Sequence, residues 1–178
     1  MYNAGKDTHL SLVLLLTALT LGPLRVVLQD AQTLALAAET AGVPKVVGLA
    51  VAWEETRDGS RGNSYLGAGL AVFDSASGRT KRVCRELGRM QVNPCYHWTY
   101  ISPSCARDSL RVYSSNVRCG MTILRRRYEE VGSWQEAIRR YNGRGPKADD
   151  YLRRVLATIG RLTLESQEAS SQGLSGRP

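Results

Sequence analysis

The chain has 178 residues, 43% hydrophobic and 22% charged, which suits one globular domain with short appendages. These figures exclude a collagen, a coiled coil, a multi-span membrane protein and a large multidomain enzyme. Twenty-four Lys and Arg against sixteen Asp and Glu give a formal charge of +8, which directs attention to a polyanionic partner: nucleic acid, an anionic membrane or an acidic wall polymer.

Residues 10–24 are almost all apolar, with Lys6 before them and Arg25 after. The run is shorter than the roughly 20 residues of a membrane span and fits the hydrophobic region of a secretory signal better. Residues 1–33 therefore read as a signal peptide or an N-terminal anchor; a buried core helix is the alternative. Leu34–Thr40 and Pro44–Thr56 read as helices around an Ala41-Gly42 break, with Pro44 suited to a first helical turn. Val47, Val51 and Glu55 follow at i, i+4 and i+8, so an apolar stripe ends in a carboxylate. After a Gly/Ser/Asn-rich turn, 65–74 and 79–85 read as two strands of a β-hairpin. Residues 92–104 are irregular, and 112–131 read as a long helix stopped by Gly132. The next helix opens on Ser133-Trp134-Gln135-Glu136, a predicted capping box, and stops at Asn142-Gly143. Pro146 opens a last helix to about Leu162, with Tyr151, Val155, Leu156 and Ile159 on its inner face. The Ser- and Gln-rich residues 163–178 read as a disordered tail. The expected fold is mainly α: one helical domain over 34–162 with a small β-hairpin insertion.

The histidines are only His9 and His97, with no Cys-x-x-Cys pair, phosphate loop or dinucleotide fingerprint, so neither a metal nor a cofactor is expected. Arg125, Arg126 and Arg127 point three ways on a helix, and no basic face interleaved with aromatics is evident, so nucleic acid is not expected either. Glu55 is the more informative residue. A carboxyl ending an apolar helix face is partly desolvated, which raises its pKa and lets it act as a general acid on a glycosidic oxygen. The bland alternative is a solvated glutamate at a helix end.

Three blocks sharpen this choice: AVAWEET at 50–56, ELGRMQVNP at 86–94 and AIRRYNGRG at 137–145. In that order they resemble the catalytic domain of the soluble lytic transglycosylases, a lysozyme-like family that cleaves peptidoglycan. The resemblance spans roughly residues 34–162 and is strongest to the compact members that serve secretion, conjugation and phage-infection machines. It implies an α+β lysozyme-like fold, a monomer without cofactors, and export to the periplasm, either free, anchored to the inner membrane or carried on a virion. By position, Glu55 matches the catalytic acid and base. Thr56 matches the small hydroxyl residue beside it, Met90 and Gln91 the residues lining the sugar cleft, Tyr141 the tyrosine near the acid, and Asn142 its partner. Glu54 lies about 100° round the helix from Glu55, so both cannot face one cleft. The implied chemistry cuts the MurNAc–GlcNAc bond and closes a 1,6-anhydro ring, with the substrate's N-acetyl group replacing a second carboxylate.

The chain departs from the family between Glu55 and Met90, where 34 residues replace a short loop. That insertion carries Asp74, the candidate second carboxylate of a hydrolytic muramidase, which is the nearest alternative; a catalytically weak wall-binding scaffold is another. Arg89 stands where an aliphatic residue is usual and could pair with Glu86, with a stem-peptide carboxylate or near Glu55. The block after Tyr141-Asn142 reads Gly-Arg-Gly-Pro in place of Ala-Gly-x-Gly. Cys84, Cys95, Cys105 and Cys119 are disulfide candidates in an exported protein. Their pairing is open, with Cys95–Cys105 and Cys84–Cys119 the two readings that tie the irregular loop and the hairpin, and four free thiols the alternative.

Overall fold

The computed structural model describes residues 28–56, 71–74, 78–82, 86–93, 105 and 109–175. Within them the chain is mainly helical. Helix α1 (Leu28–Thr40) is followed by α2 (Lys45–Thr56), two short strands β1 (Ala71–Asp74) and β2 (Arg79–Arg82), a 3-10 turn (Ser109–Arg111), α3 (Tyr113–Val131), α4 (Trp134–Asn142) and α5 (Pro146–Ser175).

Alanine-rich α1 has high helix propensity and buries Ala31, Leu34, Ala35 and Ala38, one face of a 3.6-residue repeat. It begins six residues before the expected domain boundary, and the complete burial of Ala31 makes that first turn part of the core. Gly42 (φ +67°) ends the helix: the Val43 N–H returns to the Ala38 carbonyl and the Gly42 N–H to that of Glu39. The reversal sends α2 through the centre of the fold, where every residue from Val47 to Ala52 is buried. Gly48 brings three helices together, since a Cβ on it would stand 2.9 Å from Ala38 Cβ and from the Met121 methyl. Substitution there would force the helices apart.

β1 and β2 pair antiparallel in the register Ala71↔Arg82 to Asp74↔Arg79. The apolar stripe of α3 includes Val117, Gly120, Met121 and Leu124, and the helix ends at Gly132 (φ +68°), whose N–H meets the Tyr128 carbonyl. Tyr128 stacks on Trp134 across the α3–α4 corner, ring centroids 4.2 Å apart. Ser133 is the N-cap of α4 as expected, but the capping box does not form. Its hydroxyl donates to Gln135 Oε1, and Glu136 turns forward to Arg139 and Arg140.

α5 buries Ala148, Tyr151, Val155, Thr158 and Leu162 against α2 and α4. The expected inner face is corrected by about one residue: Leu156 is 40% exposed, while Thr158 is buried because its hydroxyl binds Glu54. The helix also runs past Leu162 to Ser175, through residues read as a disordered tail. No proline interrupts 163–175, and extending an established helix costs far less than starting one. Among the described residues no helix is long and apolar enough to cross a membrane. The apolar run at 10–24 lies outside them.

Cys105 pairs with Cys119, fourteen residues away, which is neither of the two pairings drawn above. Cys84 and Cys95 lie outside the described residues. Cys119 faces the core from the second turn of α3, so the bridge ties the segment before α3 to its buried face. A loop of this length predicts about 3 kcal/mol of stabilisation. Cys105→Ala/Cys119→Ala is expected to unfold at correspondingly lower urea than the oxidised parent, and a double variant matching the parent would contradict the bridge.

Candidate functional site

A cleft of about 310 Å³ opens where the end of α2, the 86–93 segment and the end of α4 meet. Glu55 reaches it from the last turn of α2. Glu86, Gln91 and Asn93 come from the segment before α3, and Tyr141, Asn142, Gly143 and Arg144 from the α4–α5 corner. Four of the six residues expected at the site, Glu55, Gln91, Tyr141 and Asn142, thus share one cleft from three separated segments.

Thr56 and Met90 are not among the lining residues. Thr56 is 1% exposed, and its hydroxyl donates to the Ala52 carbonyl and accepts from Arg89. The Met90 side chain is fully buried against Gly120, where any Cβ would collide with it. Both side chains support the cleft from beneath and do not offer themselves to a ligand. Asp74 ends β1 in register with Arg79. Among the described lining residues the second carboxylate is Glu86, an exposed residue that the sequence reading considered only as a partner for Arg89.

Arg89 takes two partners that the sequence did not suggest. It is 5% exposed and joins Asp30 of α1, at 3.0 Å, to Thr56 at the end of α2. Burial holds the Asp30 carboxyl above its ordinary pKa, an effect that the charge and hydrogen bond of Arg89 oppose. The pair ties α1 to the end of the helix that carries Glu55.

The two adjacent glutamates are separated as helix geometry requires. Glu54 is buried against α5, where it accepts from Thr158 Oγ1 at 2.9 Å and Arg154 Nε at 3.1 Å. Glu55 faces the cleft, and its Oε1 accepts from the Tyr151 hydroxyl at 2.7 Å. α5 therefore reads both carboxylates from one face. The hydroxyl that donates to Glu55 is that of Tyr151; Tyr141, expected near Glu55, lines the same cleft, close enough for the Glu55 charge to act on it, and donates its own hydroxyl to the Met90 carbonyl at 2.8 Å. Burial first, then the negative charge of Glu55, pushes Tyr151 well above the ordinary tyrosine value of 10. Burial and the charges of Glu55 and Glu86 do the same to Tyr141. Both phenols are neutral donors throughout the working pH range.

The Gln91 turn has its own scaffold. Leu87 and Val92 exchange both backbone hydrogen bonds, at 3.0 and 2.9 Å, which closes a tight turn over 88–91. Gln91 sits at φ +43°, unusual for a non-glycine residue, and its side-chain amide donates to the Gly88 carbonyl at 2.6 Å. Beneath lies Asn116 of α3, fully buried. It accepts from the Met90 N–H at 2.9 Å and donates to the carbonyls of Leu87 at 2.7 Å and Leu110 at 3.2 Å. Gly88 (φ +67°) lies against this amide so closely that a Cβ would collide with it.

No family model matches this sequence, and no curated protein or solved structure resembles it at a significant level. Among the described residues no group of three His, Cys, Asp or Glu could hold a metal ion.

Proposed function

We propose that the protein is an exported peptidoglycan lytic transglycosylase on an α+β lysozyme-like domain. It acts without a cofactor as a monomer, in the periplasm or on a virion, and opens the wall locally for a secretion, conjugation or phage assembly. The observation that carries this reading is the meeting of Glu55 with Gln91, Tyr141 and Asn142 in one polar cleft. The Cys105–Cys119 bridge supports the oxidising compartment that export implies.

In the first step Glu55 gives its proton to the glycosidic oxygen between MurNAc and GlcNAc, and the bond from that oxygen to C1 breaks. The N-acetyl oxygen of the MurNAc unit closes on C1. In the second step the Glu55 carboxylate takes the proton of the C6 hydroxyl. O6 then attacks C1, displaces the N-acetyl oxygen and completes the 1,6-anhydro ring. Negative charge grows on Glu55 as it gives up its proton, and the Tyr151 hydroxyl is already aimed at Oε1. A donor fixed where charge develops requires no reorganisation during reaction. Gln91 and Asn142 supply amide groups for the sugars.

Tyr151→Phe is expected to slow cleavage roughly 10²-fold, the lower end of the range for a lost preorganised donor. It also moves the alkaline limb of the pH–rate profile to higher pH, because a hydrogen bond to the carboxylate favours its charged form and its loss favours the proton. A profile that keeps its shape would remove Tyr151 from this role. Since the folded phenol titrates above the unfolded one, its contribution to stability is complete below pH 10 and declines as pH rises beyond it.

The hydrolytic muramidase gains one specific support: Glu86 places a second carboxylate on the cleft wall, where it could activate water. Mass spectrometry of a wall digest separates the two outcomes. Anhydromuramyl ends are expected from the transglycosylase; reducing ends throughout would replace that assignment with the hydrolase. An intact wall with protein bound to it would leave the scaffold reading.

A further inference from the structure

Arg144 stands apart from the neighbouring arginines. Arg139 holds Glu136 and Asp149, Arg140 holds Glu136, Arg153 holds Asp150 and Arg154 holds Glu54. Arg144 has no ion pair among the described residues and lines the cleft that contains Glu55. It is the one cation among the described lining residues, facing a wall that also carries Glu86. Its place is set by two glycines. Gly143 has φ +132° and ψ −130°, a conformation open essentially to glycine alone, and Gly145 has φ +79°. The chain turns sharply on both sides, and Arg144 is exposed at the rim, next to the cleft-lining Asn142.

A glycan carrying carboxylates meets repulsion from Glu86, and from Glu55 once it has given up its proton, unless a cation offsets it. A guanidinium at the rim supplies that charge and a planar fork matched to a carboxylate. We propose that Arg144 forms a carboxylate-binding subsite, which receives an acidic group on the muramyl side of the glycan. This rests on the transglycosylase reading and adds a recognition element to it. Two sources carry the same chemistry: the carboxylates of an intact stem peptide, and the lactyl carboxylate left when an amidase removes that peptide.

The test compares wild type, Arg144→Gln and Arg144→Lys on soluble stem-bearing glycan, on amidase-denuded glycan, and with a neutral N-acetylglucosamine oligomer as competitive inhibitor. Arg144→Gln is expected to raise KM roughly tenfold for the glycan whose carboxylate is bound, with kcat changed far less. The identity of that glycan names the source. The inhibition constant of the neutral oligomer should move much less, and Arg144→Lys should recover part of the loss. Raising salt should weaken wild-type binding and flatten the difference between the variants. Unchanged KM on both anionic glycans, or an equal shift for the neutral oligomer, would overturn the subsite. A wild type that neither cleaves these glycans nor is occupied by the oligomer would overturn the transglycosylase reading and the subsite with it. Cleavage by wild type and Arg144→Gln at equal KM would remove the subsite alone.

Discussion

Glu55→Gln is expected to lower wall cleavage by roughly 10³-fold while leaving the thermal transition close to that of the parent, because positioned proton transfer contributes about 10² to 10⁴. The amide keeps the shape of the side chain, and its oxygen still accepts from the Tyr151 hydroxyl, so the α2–α5 contact survives. On the proposed reading, what is lost is the proton for the glycosidic oxygen and the base for the C6 hydroxyl. The neighbouring glutamate is the internal control. Glu54 is buried and held by Arg154 and Thr158, away from the cleft lining. Glu54→Gln weakens a charge-assisted contact and should cost about 1–3 kcal/mol in a denaturant titration, with cleavage remaining within a few-fold of wild type. The opposite pattern, full activity in Glu55→Gln and loss in Glu54→Gln, would exchange the assignments of the two carboxylates.

Much of the cleft was legible because it depends on local pattern. Glu55 ends an apolar stripe at i, i+4 and i+8, and helix geometry alone sets Glu54 aside from it. Gln91, Tyr141 and Asn142 stand in short blocks that read together with Glu55, and the four line one cleft. The missed features depend on contacts across the fold. Tyr151 belonged to an apolar inner face, where an aromatic ring reads as packing; spacing does not reveal that its hydroxyl meets a carboxylate 96 residues away. In the sequence Arg89 reads toward Glu86, a stem-peptide carboxylate or the neighbourhood of Glu55, whereas Asp30, with which it pairs, lies in a segment assigned to the leader. The cysteine pairing was likewise undetermined by spacing, since each candidate pair closed a reasonable loop. At the capping box, Arg139 and Arg140 compete for Glu136 from the following turn. They draw its carboxylate below its ordinary pKa, chiefly through the hydrogen bond from Arg140, and away from the helix N-terminus.

Asn116→Leu is expected to have the largest effect on stability, about 3 kcal/mol or more, and to impair the cleft at the same time. In the sequence this residue sits in Ser-Ser-Asn-Val-Arg, which reads as a polar helix surface, yet it is fully buried. Its amide satisfies the Met90 N–H and the Leu87 and Leu110 carbonyls. Leucine fills a similar volume but leaves those three backbone groups without their partner, and each buried unsatisfied group costs about 1–3 kcal/mol. The turn over 88–91 can recover hydration only by lifting from α3. That movement carries Gln91 out of the cleft and removes the Met90 carbonyl from the Tyr141 hydroxyl. Substrate binding should therefore weaken along with stability. Asn116→Asp keeps an acceptor for Met90 but cannot supply the two donated hydrogen bonds, so it should not restore the parent. Gly88→Ala approaches the same contact from the other side, with a strained φ and a Cβ driven into the Asn116 amide. Urea titrations of the three variants, paired with KM, check the account: an Asn116→Leu protein with the parent's midpoint would show that the turn holds its shape without α3.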